Sequence, residues 1–288
     1  MSARVMDAAL DAITPLLADR PDGTPGHIWL LSWSMIVSGV AAFFYLLYGP
    51  SATAPYGRYH RGGWGFAMNA KLAWVLQEVP SFLVPLLMSV HAVATWRAGA
   101  GDTPAFLRGG ADTALYAAFM AHYFQRSLVF PFFIRGGKPT PFWIFVMSFV
   151  FCIWNGYIQG WLLTVRGAAD GTGEWSAQAA AGLAVWAVGC LTNLHADHVL
   201  RTLRKPGETG YKIPYGGAFR FVTAANYFGE NVEWLGYAAA TGFALPAVAF
   251  SSFTFFNLAP RAHEHHKWYK RKFDDYPTNR WAIVPLLW

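Results

Sequence analysis

Apolar blocks long enough to cross a bilayer recur throughout this chain, and they constrain its fold more than any motif does. A spanning helix needs about 20 predominantly apolar residues. Seven segments of roughly that length stand out, at 27–49, 72–96, 111–134, 141–165, 178–203, 221–241 and 244–270. Charged residues make up only 13% of the chain and hydrophobic ones 55%, against about 25% charged in ordinary soluble domains. That balance excludes a soluble globular protein. Pro and Gly scattered inside the blocks fit membrane helices, where neighbouring helices satisfy the freed backbone groups. Pro80 and Pro85 are expected to bend the second segment and Pro131 the end of the third. Pro246 is the one obvious break between the last two. No internal repeat, low-complexity linker or second domain interrupts the series. The expectation is therefore an all-α, polytopic membrane protein: one domain over residues 1–288, with seven transmembrane helices enclosing a cavity. A polar segment (1–26) precedes the helices and a tail (271–288) follows them. The first segment carries Asp7, Asp11, Asp19 and Asp22 and lacks the charge order of a secretory signal. Cys152 and Cys190 sit inside apolar blocks and read as reduced packing residues.

The formal net charge of +6 suggests basic loops at a membrane surface rather than a nucleic-acid partner. The N-terminus and the second, fourth and sixth loops hold about five Lys and Arg. The odd-numbered loops and the C-terminal segment hold about fifteen. The asymmetry places the basic loops and the C-terminus in the cytoplasm and the N-terminus outside. The host membrane is the inner membrane in a bacterium or the endoplasmic reticulum in a eukaryote, and no obligate protein partner is implied.

Ionisable groups inside a span cost about 2.5–3.5 kcal/mol each on insertion scales, so clusters of them suggest function. Gln77 and Glu78 lie in the second span. His122, Tyr123, Gln125 and Arg126 lie in the third, and Asn155 and Gln159, one turn apart, in the fourth. The fifth span carries Asn193, Asp197, Arg201 and Arg204 as a stripe. The sixth carries Asn226, Glu230 and Glu233, and the seventh Arg261, His265 and Tyr269. An isolated Asn or Gln in a span is more often helix–helix glue than a ligand group, and His91, alone in an apolar run, reads as structural. Arg58, Arg61 and the Lys270–Lys272 run read as solvated or lipid-headgroup contacts. Stripes on five or six spans, concentrated towards one side, instead outline a polar cavity open to the cytoplasm. With both signs of charge, it suits a guest bearing phosphates and hydrogen-bonding groups.

The run "HEHH" at 263–266 raises the question of a metal. Membrane di-iron enzymes use eight or more histidines in spaced boxes, and this chain has 9 in all, several far apart. Adjacent helical residues point about 100° apart, and the zinc motif H-E-x-x-H is missing. No metal site is expected. Neither a GxGxxG nor a Walker sequence occurs, so a nucleotide would have to be held by helix side chains.

The stretches "LAWVLQEVPSFLVPLL", "HYFQRSLVFPFFIRGGKPTP", "FCIWNGYIQGWLL", "LTNLHADHVLRTLRKPGETGYKIPYGG", "ANYFGENVEWLGYA" and "EHHKWYKRKFDDYPTNRWAIVPLLW", in that order, resemble the steroid 5α-reductase family. "PYGRY" (55–59) resembles its vertebrate members, so the likeness covers about residues 55–288. It implies a seven-helix membrane enzyme that uses NADPH to reduce the 4,5 double bond of a 3-oxo-4-ene steroid. It further implies that Glu78 and Tyr123 engage the 3-oxo group. Asn193, Asp197, Arg204, Tyr211, Asn226, Glu230, Arg261, His265 and Tyr269 fall at positions of the cofactor pocket. Arg126, with Arg135 and Lys138 of the "RGGKP" loop, joins its basic rim. On this reading His265 faces the nucleotide, and His263 and His266 do not. The chemistry is coherent on its own terms. Hydride addition to C5 of an enone needs the charge arriving at the carbonyl oxygen stabilised. A tyrosine beside a carboxylic acid kept neutral by apolar surroundings supplies two donors, the same type of pair that ketosteroid isomerase uses. Other membrane double-bond reductases (enoyl-lipid, polyprenol, sterol), a membrane methyltransferase and a transporter are the alternatives. The Glu78–Tyr123 pair disfavours methyl transfer, and the lack of an inverted repeat disfavours transport.

Overall fold

The computed structural model describes residues 17–49, 53–134, 137–168, 171–205 and 207–288, and its helices coincide with the apolar blocks. Helix α1 spans Gly26–Tyr48 and α2 Ala70–Arg97. Helix α3 (Gly110–Phe124) runs through a π turn at Gln125–Val129 into the short α4 (Phe130–Phe133). Helix α5 (Phe142–Trp161) ends in a second π turn, Leu162–Arg166. Three more follow: α6 (Ala177–Thr202), α7 (Ala225–Ala240) and α8 (Leu245–Lys272). Among the described residues, length and composition mark four stretches as able to cross a membrane: Gly26–Tyr48, Ala70–Arg97, Phe142–Arg166 and Ala177–Thr202. The other three expected spans fall short of that test for physical reasons. The 16 residues of α7 are fewer than the ~20 a perpendicular crossing needs, α3 and its π turn carry His122, Gln125 and Arg126, and the apolar part of α8 is broken by Asn257 and Arg261.

Helix α2 continues through both Pro80 and Pro85. Glycines on α5 let it lie flush against them: a Cβ at Gly156 would sit 2.9 Å from the Pro80 carbonyl oxygen, and one at Gly160 3.3 Å from Pro85 Cα. Ser81 Oγ donates to the Cys152 carbonyl across the same contact (3.1 Å). Pro131, which has no N–H, follows directly on the π turn and opens α4. The connection from α7 to α8 is only Thr241–Ala244. Its reversal uses the left-handed region at Gly242 (φ 65°) and, less comfortably, Phe243 (φ 57°). Pro246 then occupies the first turn of α8, where a missing N–H leaves nothing unpaired.

Loops that the charge count assigns to one side do meet at one end of the bundle. Strand β1 (Ala67–Met68), before α2, pairs antiparallel with β2 (Thr140–Pro141), before α5. Val222, before α7, bridges to Trp281 beyond α8, and Thr223 N–H donates to the Trp281 carbonyl (2.8 Å). At the opposite end, Arg108 donates to the carbonyls of Arg166 and Gly171 (both 2.6 Å), and Arg166 donates to that of Thr241 (3.2 Å). The aromatic core lies between the ends, where Phe119, Tyr123, Trp234, Tyr237 and Phe250 pack as one buried cluster.

Candidate active site

The inner part of the site is set by how closely α6 and α7 approach. Gly182 and Gly189 on α6 face Gly229 and Gly236 on α7. A Cβ at Gly189 would fall 2.5 Å from Glu233 Cα, and one at Gly229 2.5 Å from the Asn193 nitrogen. This small-residue seam brings backbones into contact in the manner of membrane helix pairs and sets the stripes of the two helices side by side. Asn193 Nδ2 donates to the Asn226 carbonyl (2.9 Å). Arg126, on the π turn after α3, reaches across to Asp197 Oδ2 (3.2 Å) and Glu230 Oε2 (3.7 Å). Its guanidinium lies 4.9 Å from the ring centre of Trp74, whose Nε1 donates to the Arg126 carbonyl (3.1 Å). Arg126 is thus no rim residue. It sits among the spans, 14% exposed and matched by two carboxylates.

Glu78 and Tyr123 come from different helices and are both held by α5. Cys152 Sγ lies 3.9 Å from Glu78 Oε2, and one turn on, Asn155 Nδ2 donates to Tyr123 Oη (3.0 Å). Gln77 Nε2 approaches the other Glu78 oxygen at 3.5 Å. Tyr123 is 4% exposed and stacks on Trp234, with centroids 5.9 Å apart. Beside it, His122 Nδ1 and Glu233 Oε1 form a buried 2.6 Å pair. Asn155, Gln159 and the His122–Glu233 pair are visible in the sequence as polar residues in spans. Only the fold shows that they surround Tyr123.

The outer part is a cavity of about 200 Å³ between the α1–α2 loop and α8, lined by Tyr56, Arg58, Tyr59, Tyr227, Arg261 and His265 among others. Tyr59 stacks on His265 (5.5 Å, 12°) and its hydroxyl lies 3.2 Å from His265 Nδ1. Burial pushes the Tyr59 hydroxyl up to about 12, so it keeps its proton, and the His265 tautomer sets which of the two groups donates. Arg58 lies against Trp268, Tyr269 and Tyr211, at 4.3, 5.0 and 4.9 Å from their ring centres. This overturns the expectation of a solvated or headgroup-bound Arg58. Its three rings come from the α6–α7 loop and the end of α8, which close over it. Nη1 of Arg58 and Nε of Arg261 are buried with no hydrogen-bond partner among the described residues. Two unsatisfied guanidinium donors in one cavity fit an anionic group such as a phosphate. A nucleotide cofactor therefore suits this lining.

The histidine run divides as its helical spacing suggests. His265 faces the cavity. His266 Nδ1 bonds Thr223 Oγ1 (2.6 Å), and the His263 ring lies against Trp288 (5.6 Å). Tyr269 Oη donates to the Lys212 carbonyl at 3.5 Å. Arg204 and Lys138 are exposed, and Arg135 lies outside the described residues. Of the sequence-assigned residues, the fold thus gathers Glu78, Tyr123, Arg126, Asn193, Asp197, Asn226 and Glu230 within the helices, and Tyr211, Arg261, His265 and Tyr269 around the outer cavity. Sequence reasoning misses Arg58, Tyr59 and Tyr227 as cavity residues. The available signal is an arginine set among tyrosines in the short loop "PYGRY".

Comparison with known proteins points the same way. A family model described as 3-oxo-5-alpha-steroid 4-dehydrogenase matches residues 138–288. The chain is 49% identical over 237 residues to 3-oxo-5-alpha-steroid 4-dehydrogenase 1 of Bos taurus, covering 81% of this chain and 88% of that protein. The type 1 protein of Rattus norvegicus is 44% identical over 263 residues (91% and 96%). The type 2 protein of Sus scrofa is 42% identical over 222 residues (76% and 82%). With the family match and identity of this extent over most of its length, the chain belongs to the 3-oxo-5-alpha-steroid 4-dehydrogenase family of oxidoreductases.

Proposed function

We propose that this chain reduces the 4,5 double bond of 3-oxo-4-ene steroids, with NADPH as reductant. The observation that carries the reading is that one helix, α5, holds both Glu78 and Tyr123, through Cys152 and Asn155 one turn apart. When bound, NADPH supplies the hydride that C5 of the steroid accepts. The chain's own residues then manage charge at the far end of the enone. Tyr123 Oη and a protonated Glu78 carboxyl donate hydrogen bonds to the 3-oxo oxygen as negative charge arrives there, the kind of stabilisation worth about 2.7–4 kcal/mol per donor in other enzymes. The stacked Trp234 and the buried aromatic core exclude water from that oxygen.

The inner polar cluster and the outer cavity differ in charge, and that supports a division of labour. Arg126 is already matched by Asp197 and Glu230. The inner region therefore suits hydroxyl and amide groups, with Asn193 and Asn226 beside it. Arg58 and Arg261 have donors to spare, so the outer cavity suits phosphates; His265 completes its wall, and Tyr211 and Tyr269 pack on Arg58. Arg204 is the first candidate for the 2′-phosphate that distinguishes NADPH, and Lys138 and Arg135 extend the basic edge. The alternation of loops between the two ends supports seven crossings with the C-terminus and the cofactor mouth cytoplasmic.

The test is NADPH oxidation by detergent-purified protein with testosterone or progesterone, with the product's mass and C5 stereochemistry determined. A 5α-dihydro product is expected. Glu78→Gln, which keeps a donor, should retain partial activity, whereas Tyr123→Phe should lose most of it. Full activity in both variants would refute the assignment of the pair.

A further inference from the structure

Tyr123 is one end of a buried hydrogen-bond chain whose direction can be worked out from its other end. The Pro246 carbonyl can only accept, so the Gln159 atom 2.8 Å from it is the amide nitrogen. Gln159 Oε1 must then face Tyr237, whose hydroxyl donates to it (3.2 Å). The second Gln159 N–H points at Asn155 Oδ1 (3.3 Å), which leaves Asn155 Nδ2 facing Tyr123 Oη at 3.0 Å. Asn155, Gln159 and Tyr237 are all 0% exposed, so no solvent offers an alternative. Turning Gln159 over would set its oxygen against the Pro246 carbonyl and Asn155 Oδ1, and turning Asn155 over would set its amide nitrogen against that of Gln159; either leaves buried polar groups unpaired, at about 1–3 kcal/mol each.

We infer that Asn155 and Gln159 are positioning residues that fix the polarity of the Tyr123 hydroxyl. By filling one lone pair of Oη as donor, Asn155 prevents the tyrosine from spending its proton on α5. The proton is left to point away from α5 and is offered to the substrate's carbonyl oxygen. The Pro246 carbonyl, at the start of α8, is the reference that sets the direction. This inference rests on the reading of Tyr123 as the donor to the 3-oxo group.

The test is the pair Asn155→Asp and Asn155→Leu, assayed for steroid turnover across pH, with NADPH binding followed by fluorescence to establish a folded protein. Burial at position 155 shifts ionisation of the carboxyl that Asn155→Asp introduces towards alkaline pH; once ionised it accepts only, so it takes the Tyr123 proton for itself. Expected is a fall in kcat of about a hundredfold with little change in steroid KM, recovering as the pH is lowered and the carboxyl regains a donor. Asn155→Leu removes a partner but leaves the proton free, and should lose about tenfold with no such recovery. A packing role predicts the reverse order, because Asp matches Asn in shape and Leu does not. In a Tyr123→Phe background, Asn155→Asp should cost nothing further. Leu as damaging as Asp, no recovery at low pH, or an additive loss in that background overturns the inference while leaving the function intact. A fully active Tyr123→Phe overturns the donor role of Tyr123 itself. If Asn155→Asp does not fold, Gln159→Glu makes the same reversal one turn away. The same pH recovery is then expected, and its absence refutes the relay.

Discussion

Gly229→Ala should damage stability and cofactor affinity together, because one seam sets both. The added Cβ would lie 2.5 Å from the Asn193 nitrogen and 2.9 Å from both Asn193 Cα and the Gly189 carbonyl oxygen. Ordinary contacts start at ~3.5 Å, and all three of these neighbours are backbone, so no side chain can swing aside. Helices α6 and α7 must part by about 1 Å. Overpacking of this kind costs about 1–3 kcal/mol. The 2.9 Å bond from Asn193 to the Asn226 carbonyl would stretch out of range, adding about 1 kcal/mol. The sum of about 2–4 kcal/mol corresponds to a Tm lower by on the order of 5–10 °C in a chain of this size. The same movement draws Asp197 from Arg126, so the KM for NADPH should rise with it. Tryptophan-fluorescence melting in detergent and initial-rate kinetics read the two effects. Gly62→Ala is the control, since a Cβ there meets nothing within 4 Å among the described residues. A Gly229→Ala protein with the Tm and KM of the parent would refute the argument that this seam positions the site.

Arg58→Ala removes one of the two unsatisfied guanidinium donors of the outer cavity. It should raise the KM for NADPH by about tenfold or more while leaving kcat within about threefold. Arg58→Lys should restore only part of the loss, because an ammonium lacks the planar fork that lies on the surrounding rings. Prolonged dialysis against EDTA should leave turnover unchanged, because His265, His266 and His263 each face a different partner. A loss of activity reversed by one divalent metal would refute that reading.

The bundle is legible in the sequence because its signal is collective. Each apolar block carries a run of residues that all agree, and the blocks anticipate the helical segments to within a few residues. The stripes are legible for the same reason, since Asn193 and Asp197, or Asn226 and Glu230, repeat at helical spacing. Partnerships between helices are not. Nothing local tells that Arg126 crosses to Asp197 and Glu230 instead of joining the rim, or that Asn155 bonds Tyr123 rather than gluing two helices. Those facts depend on the rotation of one helix against another, which here is set by four glycines whose role emerges only when α6 and α7 are seen together. Arg58 is hidden for a related reason. A lone arginine in a loop looks solvated until the rings of Tyr211, Trp268 and Tyr269 are brought over it by the end of α8 and the loop before α7.

The placement of charge explains why a membrane bundle tolerates so many ionisable groups. Inside, Arg126 is set against Asp197 and Glu230, and the His122 ring is hydrogen-bonded to Glu233. A buried pair held by good geometry avoids the penalty of an isolated charge, and removing one partner exposes it. The outer cavity is different, because Arg58 and Arg261 keep unsatisfied donors there and can be reached by a ligand from the loop side. A dianionic phosphate arriving there meets two guanidinium groups, so binding satisfies donors that folding leaves short. The Glu78–Tyr123 end needs the opposite. Under the proposed function, a charge that exists only as the reaction proceeds is best met by neutral donors fixed in advance, and the inferred relay through Asn155 would keep the Tyr123 proton available for it.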